Sequence, residues 1–212
     1  AEGAEDVVVL ADEQTGGKGR LDRGWASPSG GVWLSILLRP EVPPAHAPLF
    51  TLAAAVATAR ATREAGVEAT IKWPNDVLVG GQKLAGILTE MEGEADRISW
   101  LVVGIGVNAN VDLPVDGATS LRAETGDIDR RPFTQRLLEE FDGLGDDPDA
   151  ILPAWREYAA TLGERVRVET SDGEIVGEAV DVTFPGALVV DTGDGRVEVT
   201  AGDCEHLRPS GR

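Results

Sequence analysis

The chain has 212 residues, enough for one medium-sized domain, or one domain and a small appendage, around a buried core. Its 37 Asp and Glu residues against 19 Lys and Arg give a net charge of −18, which repels phosphate backbones and anionic membranes. We therefore expect neither nucleic acid nor a membrane as the main partner. A single cysteine, Cys204, excludes an internal disulfide framework, and the two histidines add too few ligands for a closed zinc site. These features predict a protein of the reducing cytoplasm without a tightly bound metal.

The first half of the chain reads as a series of strands with one long helix. Strands are predicted at residues 6–11, 32–38, 68–73, 76–79, 83–92 and 97–107. The first two are almost continuously apolar, which indicates burial on both faces. The Ala-rich segment 47–65, ended by Gly66, predicts a helix. Because several strands follow one another without intervening helices, an antiparallel or mixed sheet is expected.

The second half predicts two helices and then short strands. The helices are expected at residues 132–143 and 148–162, the second of them capped by Asp147. From Arg165 onward, turn signals recur every 8–12 residues, as is typical of a small β-barrel of about five strands. We therefore predict an α+β fold in which a mixed β-sheet flanked by helices spans residues 1–162, followed by a small C-terminal β-barrel at residues 163–212.

The segment ADEQTGGKGRLDRGW, residues 11–25, is a cationic loop in an acidic protein. Lys18, Arg20 and Arg23 lie among glycines, although the whole chain has only three lysines. Glycines let backbone N–H groups approach an anion, and the cations offset its charge. The pattern is not a Walker P-loop, because Lys18 is followed by glycine rather than Ser or Thr. A mobile surface loop is the plain alternative, but loops of about 20 residues in compact domains are usually functional.

The segment IKWPNDVLVGGQKLAGI, residues 71–87, combines polar residues with a tight hairpin. Pro74 favours a turn that gathers the polar side chains Lys72, Asn75 and Asp76 at a strand end. A turn at the paired glycines 80 and 81 returns Lys83 alongside them, and the small residues Ala85 and Gly86 leave room for a ligand. The alternative is an ordinary turn with Lys83 at a solvated edge.

The segment VVGIGVNAN, residues 102–110, satisfies the spacing G-x-G-x-x-A through Gly104, Gly106 and Ala109. We reject a dinucleotide-binding fingerprint, because that motif must open a helix and this segment ends a series of strands. The glycines instead favour close backbone contact with a ligand, and Asn108 offers an amide for hydrogen bonds.

With ADEQTGGKGRLDRGWASPSGGVWLS, KWPNDVLVGGQKLAGIL and GIGVNAN in this order, the chain resembles biotin protein ligases over essentially its whole length. The resemblance implies a class II synthetase-like catalytic fold. It also implies a two-step reaction in which biotin and MgATP give biotinyl-5′-AMP, and biotin then passes to a lysine of a biotin carboxyl carrier protein. A homodimer through the central sheet is a reasonable expectation from the same resemblance.

The resemblance also implies roles for individual residues. Expected biotin-binding residues are Gln14, Lys18, Gly19, Arg20, Lys83, Trp33 and Gly86; expected nucleotide-binding residues are Lys72, Asn75, Asn108 and Trp25; expected catalytic residues are Lys83, Arg20 and Asp76. Gln14 suits a ureido ring because its amide both donates and accepts hydrogen bonds. Lys83 and Arg20 would offset the repulsion between a carboxylate and an α-phosphate.

The chain departs from the family pattern in two respects. Lys18 replaces the more common arginine, which preserves charge but loses planar, bidentate contact. The sequence AEGAEDVVV also begins without the helix and the Ser/Thr-Thr-Asn-type segment that help relatives bind biotin, and without a winged-helix DNA-binding region. We expect either a truncated start or another element that replaces that wall. A lipoate-type ligase and a non-catalytic biotin-binding protein stay open as alternatives.

Overall fold

The computed structural model describes residues 6–21, 23–112 and 115–207, and its larger sheet has six strands. The order is β1-β2-β6-β5-β4-β3, and every neighbouring pair is antiparallel. The strands are β1 Val7–Ala11, β2 Val32–Leu38, β3 Ala69–Lys72, β4 Asp76–Val79, β5 Gln82–Gly93 and β6 Ile98–Val107. All six were predicted with closely similar bounds. The sheet is antiparallel rather than mixed, because short connections join β3 to β4, β4 to β5 and β5 to β6, and the long connection from β2 to β3 crosses to the far edge of the sheet.

One face of this sheet packs against the helix α1, Ala47–Glu64. The alanines at positions 53, 54, 55, 57 and 59 are fully buried, and their small side chains let the helix lie close to the sheet. The strands contribute large, buried apolar side chains at alternate positions, including Leu34, Ile36, Ile87, Leu101, Val103 and Ile105. The opposite face of the same strands stays open to a cleft.

The edge strand β1 differs from its sequence-based prediction. Val7, Val8, Val9 and Leu10 are all between 45% and 57% exposed, whereas we expected burial on both faces. Among the described residues the strand pairs only with β2, and the rest of the described chain leaves its apolar side chains largely accessible. Its apolar composition therefore reflects β-propensity but not burial.

Three further helices complete the first part of the chain: α2 Leu121–Thr125, α3 Arg130–Leu144 and α4 Pro148–Tyr158. Both α3 and α4 pack against α1. The predicted cap is confirmed, because Asp147 Oδ1 accepts a hydrogen bond of 2.9 Å from the Asp149 N–H. The helix α4 ends four residues earlier than predicted, and the single-turn α2 was not predicted.

The C-terminal part is a five-stranded antiparallel sheet with the order β10-β9-β8-β7-β11. Its strands are β7 Arg165–Thr170, β8 Gly173–Thr183, β9 Ala187–Asp191, β10 Arg196–Val199 and β11 Asp203–His206. The strands β10 and β11 form opposite edges of this sheet in the described residues, so the unit is an open sheet and not the closed barrel that we expected. The boundary between residues 162 and 163 stays a prediction.

The two sheets meet around Trp73, which lies at the end of β3 and is 1% exposed. Its indole N–H donates to the Gly186 carbonyl at 3.0 Å, and its backbone N–H donates to Thr161 Oγ1 at 2.9 Å. These contacts fix the C-terminal sheet beside the β3–β4 turn. None of the helices in the described ranges is both long and apolar enough to cross a membrane.

Candidate active site

A cleft of about 460 Å³ opens on the face of the large sheet away from α1. Its floor consists of Gly86 on β5 and of Gly104 and Gly106 on β6. Gly86 and Gly106 are direct cross-strand partners, so the floor has no side chains where the two strands meet. The volume and the flat floor suit a small, elongated ligand.

The indole of Trp25 lies on this glycine floor. A Cβ added at Gly106 would come within 2.5 Å of Trp25 Nε1, and one added at Gly86 would come within 3.3 Å of the Trp25 ring. Both distances are shorter than ordinary van der Waals contact. The indole therefore occupies the space that a side chain at either position would need, and glycine is the residue that fits. The cationic loop thereby closes over the sheet.

The loop itself folds as an irregular hairpin. Gln14 bridges Ser27 and Lys18 bridges Gly24 in antiparallel fashion, and the Trp25 N–H donates to the Gly17 carbonyl at 2.8 Å. A Cβ at Gly17 would lie 2.3 Å from the Trp25 carbonyl oxygen, so this crossing requires glycine. The sequence pattern of glycines therefore serves close backbone packing within the loop as well as access to a ligand.

Gln14 is held in a defined orientation at the inner end of the loop. The Ser27 hydroxyl donates to Gln14 Oε1 at 2.7 Å. This hydrogen bond uses the amide oxygen of Gln14, which lines the cleft, so its NH₂ group is the part that can still donate to a ligand.

Lys83 provides a cation from the sheet. Its Nζ atom lies 2.6 Å from Asp76 Oδ1 on the neighbouring strand β4, and 5.1 Å from the centroid of the Trp25 ring. The ion pair and the cation–π contact fix the ammonium group beside the glycine floor. The turn and hairpin predicted from the sequence thus bring Asp76 and Lys83 together.

Arg20 provides a second cation from the loop. Its Nη1 atom donates to Asn75 Oδ1 at 3.2 Å and its Nη2 atom donates to the Gly202 carbonyl at 2.9 Å. Burial lowers the pKa of Arg20 from its ordinary value, with Asp203 and Asp76 opposing the shift. The guanidinium stays charged, because arginine does not lose its proton in proteins.

Most of the predicted site residues converge on this cleft. The lining includes nine of them: Gln14, Lys18, Gly19, Arg20, Trp25, Asn75, Asp76, Lys83 and Gly86. The two motifs that carry them are about 60 residues apart in the chain, and the sheet brings them together because β4 and β5 lie under the loop.

Three predicted residues lie elsewhere. Trp33 is 1% exposed and donates its indole N–H to the Pro28 carbonyl at 2.9 Å, so it packs beneath the loop and does not form a cleft wall. Asn108 is 3% exposed and donates to the Thr119 carbonyl at 3.1 Å, so its amide links β6 to the segment before α2. Both side chains therefore donate hydrogen bonds to the backbone of the fold.

The third is Lys72, which is half-buried at the end of β3 and is not part of the cleft lining. Its charge acts on three groups of β11, namely Asp203, Cys204 and His206. Lys72 therefore faces the C-terminal sheet beside the cleft.

Sequence reasoning did not find Asp203, which lines the cleft from the C-terminal sheet. It forms an ion pair with Arg23, and the hydrogen bond from Arg23 holds the pKa of Asp203 below its usual range. The stretch GDCEH around it carries no motif, and its distance of about 180 residues from the loop gave no signal of proximity.

No group of three His, Cys, Asp or Glu side chains in the described part of the chain is arranged to hold a metal ion. The charged groups of the cleft are of both signs: the cations are Lys18, Arg20, Arg23 and Lys83, and the carboxylates are Asp76, Glu90 and Asp203. The fold and the cleft together define an α+β protein with a cationic loop folded over a glycine-floored cleft.

Comparison with known proteins gives the family. Residues 2–108 match the biotin/lipoate A/B protein ligase family, and residues 161–207 match the biotin protein ligase C-terminal domain. A biotin–[acetyl-CoA-carboxylase] ligase of Mycobacterium tuberculosis is 36% identical over 219 residues, which cover 96% of this chain and 80% of that protein. The chain belongs to the biotin/lipoate A/B protein ligase family.

Two further relatives define the extent of the likeness. The bifunctional ligase/repressor BirA of Bacillus subtilis is 40% identical over 217 residues, and the chain spans 66% of its length. A biotin protein ligase from Aquifex aeolicus, solved in complex with biotin and ATP, superimposes with a TM-score of 0.81 and 28% identity, over 94% of this chain and 89% of that one. The family and the fold class expected from the sequence are therefore confirmed.

Proposed function

We propose that this chain activates biotin with ATP to form biotinyl-5′-AMP and pyrophosphate, and then transfers biotin to a lysine of a biotin carboxyl carrier protein. One observation carries the proposal: cations from the loop and from β5 converge with Gln14 on a single glycine-floored cleft. The Aquifex aeolicus ligase named above has a similar fold and was solved with biotin and ATP.

In the first step a carboxylate oxygen of biotin attacks the α-phosphorus of ATP, and pyrophosphate leaves. Both reactants are anionic, so the step needs fixed positive charge where the phosphoryl oxygens gain negative charge. Asp76 holds Lys83 and Asn75 holds Arg20 while the loop is closed, so both positive charges are already in place beside the cleft. Mg²⁺ enters with ATP as part of the substrate complex and screens its phosphates.

In the second step the neutral amine of the acceptor lysine attacks the acyl carbon, and AMP leaves. Between the two steps the mixed anhydride must be kept from water. The loop is suited to this task, because its hairpin covers the cleft and its Trp25 seals the glycine floor. A glycine-rich loop can open for exchange of substrates and close again afterwards.

The cleft supports a division of roles among its residues. The donor NH₂ of Gln14 is proposed for the ureido oxygen of biotin, Lys18 and Gly19 for the loop wall, and Gly86 for the floor beneath the acyl chain. Asn75 and Trp25 are proposed for the nucleotide side. Lys72 is reassigned to long-range charge balance at the C-terminal sheet, since it lies outside the lining.

Two alternatives have distinct signatures. A lipoate-type ligase would exchange pyrophosphate into ATP with lipoate or octanoate but not with biotin. A non-catalytic biotin-binding protein would bind biotin without consuming ATP. Lys18, Arg20 and Lys83 all line the cleft, which is more positive charge than the single carboxylate of biotin requires, and this favours a phosphate-bearing second substrate.

The test is exchange of labelled pyrophosphate into ATP, run separately with biotin, lipoate and octanoate, and followed by biotinylation of a purified carrier domain in high salt. We expect exchange and transfer with biotin alone. Exchange driven only by lipoate, or biotin binding without exchange, would overturn the proposal. The homodimer expected from the resemblance stays a prediction, which sedimentation equilibrium tests.

A further inference from the structure

The tip of the cationic loop contacts the C-terminal sheet at one turn, Gly202-Asp203. Arg20 donates to the Gly202 carbonyl at 2.9 Å, and Arg23 forms an ion pair with the Asp203 carboxylate. Two consecutive residues of the C-terminal sheet thus hold two loop cations that are only three positions apart. We call these two contacts the loop clamp.

We propose that Asp203 is a positioning residue that, through the loop clamp, holds the cationic loop closed over the cleft. The C-terminal sheet would thereby set how long the activated acyl group stays enclosed. This inference rests on the proposed function for its consequence, but the clamp itself is a property of the chain without ligands.

The turn is built to present these groups. A Cβ added at Gly202 would lie 2.6 Å from Val168 Cγ1 and 2.7 Å from the Glu169 carbonyl oxygen. The backbone therefore passes against β7 where only glycine fits, and the Gly202 carbonyl is left facing Arg20. Asp203 follows as the first residue of β11.

Asp203 is surrounded by positive charge from both sides of the cleft. Arg23, Arg20 and Lys72 all lower the pKa of its carboxyl group, with the hydrogen bond from Arg23 as the largest contribution. Replacement of Asp203 by a neutral residue would leave three cations facing one another across the junction. Their mutual repulsion favours the open loop, because Arg20 and Arg23 belong to the loop whereas Lys72 belongs to strand β3 of the larger sheet.

The clamp acts on the loop rather than on the stability of the whole fold. Side chains of Arg23 and Asp203 are 65% and 40% exposed, and exposed ion pairs contribute little to global unfolding. The loop opens locally, however, and a small contribution changes a local equilibrium by a measurable factor. A role confined to structure would instead change the thermal midpoint.

The experiment is hydrogen exchange of the loop amides in the full chain without ligands. The N–H groups of Gly19 and Trp25 are hydrogen-bonded within the closed loop, at 2.6 Å and 2.8 Å, and report its opening. We compare Asp203→Asn and Arg23→Gln with the control Glu205→Gln. Glu205 lies on the same strand and pairs with Arg167, away from the loop.

We expect exchange at both amides to be faster by roughly two- to fivefold in each clamp variant. The double variant should exchange no faster than the single ones, and Glu205→Gln should match the unchanged protein. All thermal midpoints should agree. Two results would contradict the clamp. One is an unchanged exchange rate of these amides in Asp203→Asn, and the other is a double variant whose rate increase equals the product of the two single increases.

A second measurement connects the clamp to catalysis. Labelled biotinyl-5′-AMP, formed on the enzyme, is chased with an excess of unlabelled biotin and ATP. The Asp203→Asn variant should release it faster by the same factor as its loop opens, and release at an unchanged rate would contradict the positioning role. If the unchanged protein forms no adenylate at all, the proposed function fails, while the exchange result still decides on the clamp.

Discussion

Lys83 and Asp76 face each other across the neighbouring strands β5 and β4, with 2.6 Å between Nζ and Oδ1. The pair lies beside the glycine floor, and the Lys83 ammonium group also contacts the Trp25 ring that lies on this floor. A lysine side chain has several rotatable bonds, so the carboxylate has the specific effect of fixing the ammonium group before the substrates bind. Preorganised charge of this kind is the largest single contribution in many enzymes.

Lys83→Met should reduce the rate of pyrophosphate exchange by about 100-fold or more, because it removes a fixed cation while keeping the length of the side chain. Single-turnover formation of the adenylate at saturating biotin and ATP measures this rate. The matched control is Arg196→Met, which removes a charge from an exposed position on β10. Comparable losses in both variants would show that the effect is one of net charge only.

Gly106→Ala should weaken binding of the acyl ligand by roughly 10- to 100-fold, as expected for overpacking. The new Cβ would come within 2.5 Å of Trp25 Nε1, so the indole must leave the floor or the ligand must lie higher. Calorimetry with biotin measures the affinity. In Gly143→Ala, the control, the Cβ meets nothing within 4 Å, and binding should be unchanged. Equal affinities in all three proteins would refute a functional glycine floor.

Stability should fall as the pH drops below about 6.5, the ordinary pKa of histidine. Burial lowers the pKa of His206 in the fold, so between its folded and unfolded pKa values the unfolded chain binds more protons. His206 Nε2 lies 3.1 Å from Thr161 Oγ1, which already accepts the Trp73 N–H and is therefore free to donate to a neutral imidazole. The thermal midpoint from pH 5 to 7.5 measures the effect.

The control for this pH dependence is His206→Gln, which should flatten the profile just below about pH 6.5 while acid unfolding by carboxylates persists at lower pH. A profile that stays equally steep in His206→Gln would assign the effect to other groups.

Trp73→Phe should destabilise the protein by about 2–3 kcal/mol, because it leaves the Gly186 carbonyl without its partner and opens a gap between the sheets. Denaturant unfolding followed by far-ultraviolet circular dichroism measures the change. Trp100→Phe is the matched control: its indole donates to Glu92 at an exposed site, so its loss should change stability by less than about 0.5 kcal/mol. Equal effects would remove Trp73 as the link between the sheets.

The sequence predicted the elements well where local patterns decide them. The strands β2, β5 and β6 carry alternating or continuous apolar residues between polar or glycine-containing segments, and their bounds follow from that pattern. The turn before Asp76 and the hairpin before Lys83 were predicted for the same reason. These local features were sufficient to bring Lys83, Asn75 and Asp76 into one site.

Features that depend on distant partners could not be predicted. The exposure of β1 depends on what covers an edge strand, and its string of valines and leucine is compatible with either outcome. Asp203 approaches the loop only because the C-terminal sheet docks beside Trp73. Asn108 and Trp33 were expected in the cleft from the resemblance to biotin protein ligases, but both donate hydrogen bonds within the fold instead.

The structure of this chain bound to a non-hydrolysable biotinyl-5′-AMP analogue would decide whether the cleft serves one acyl-phosphate intermediate. We expect the phosphate mimic within hydrogen-bond distance of Lys83 Nζ and of Arg20 or Lys18, with the acyl chain beside the Trp25 indole that lies on the glycine floor and the ureido ring at Gln14. An analogue bound at another surface, or a closed loop whose cations point away from the phosphate mimic, would contradict the ligase proposed for this cleft.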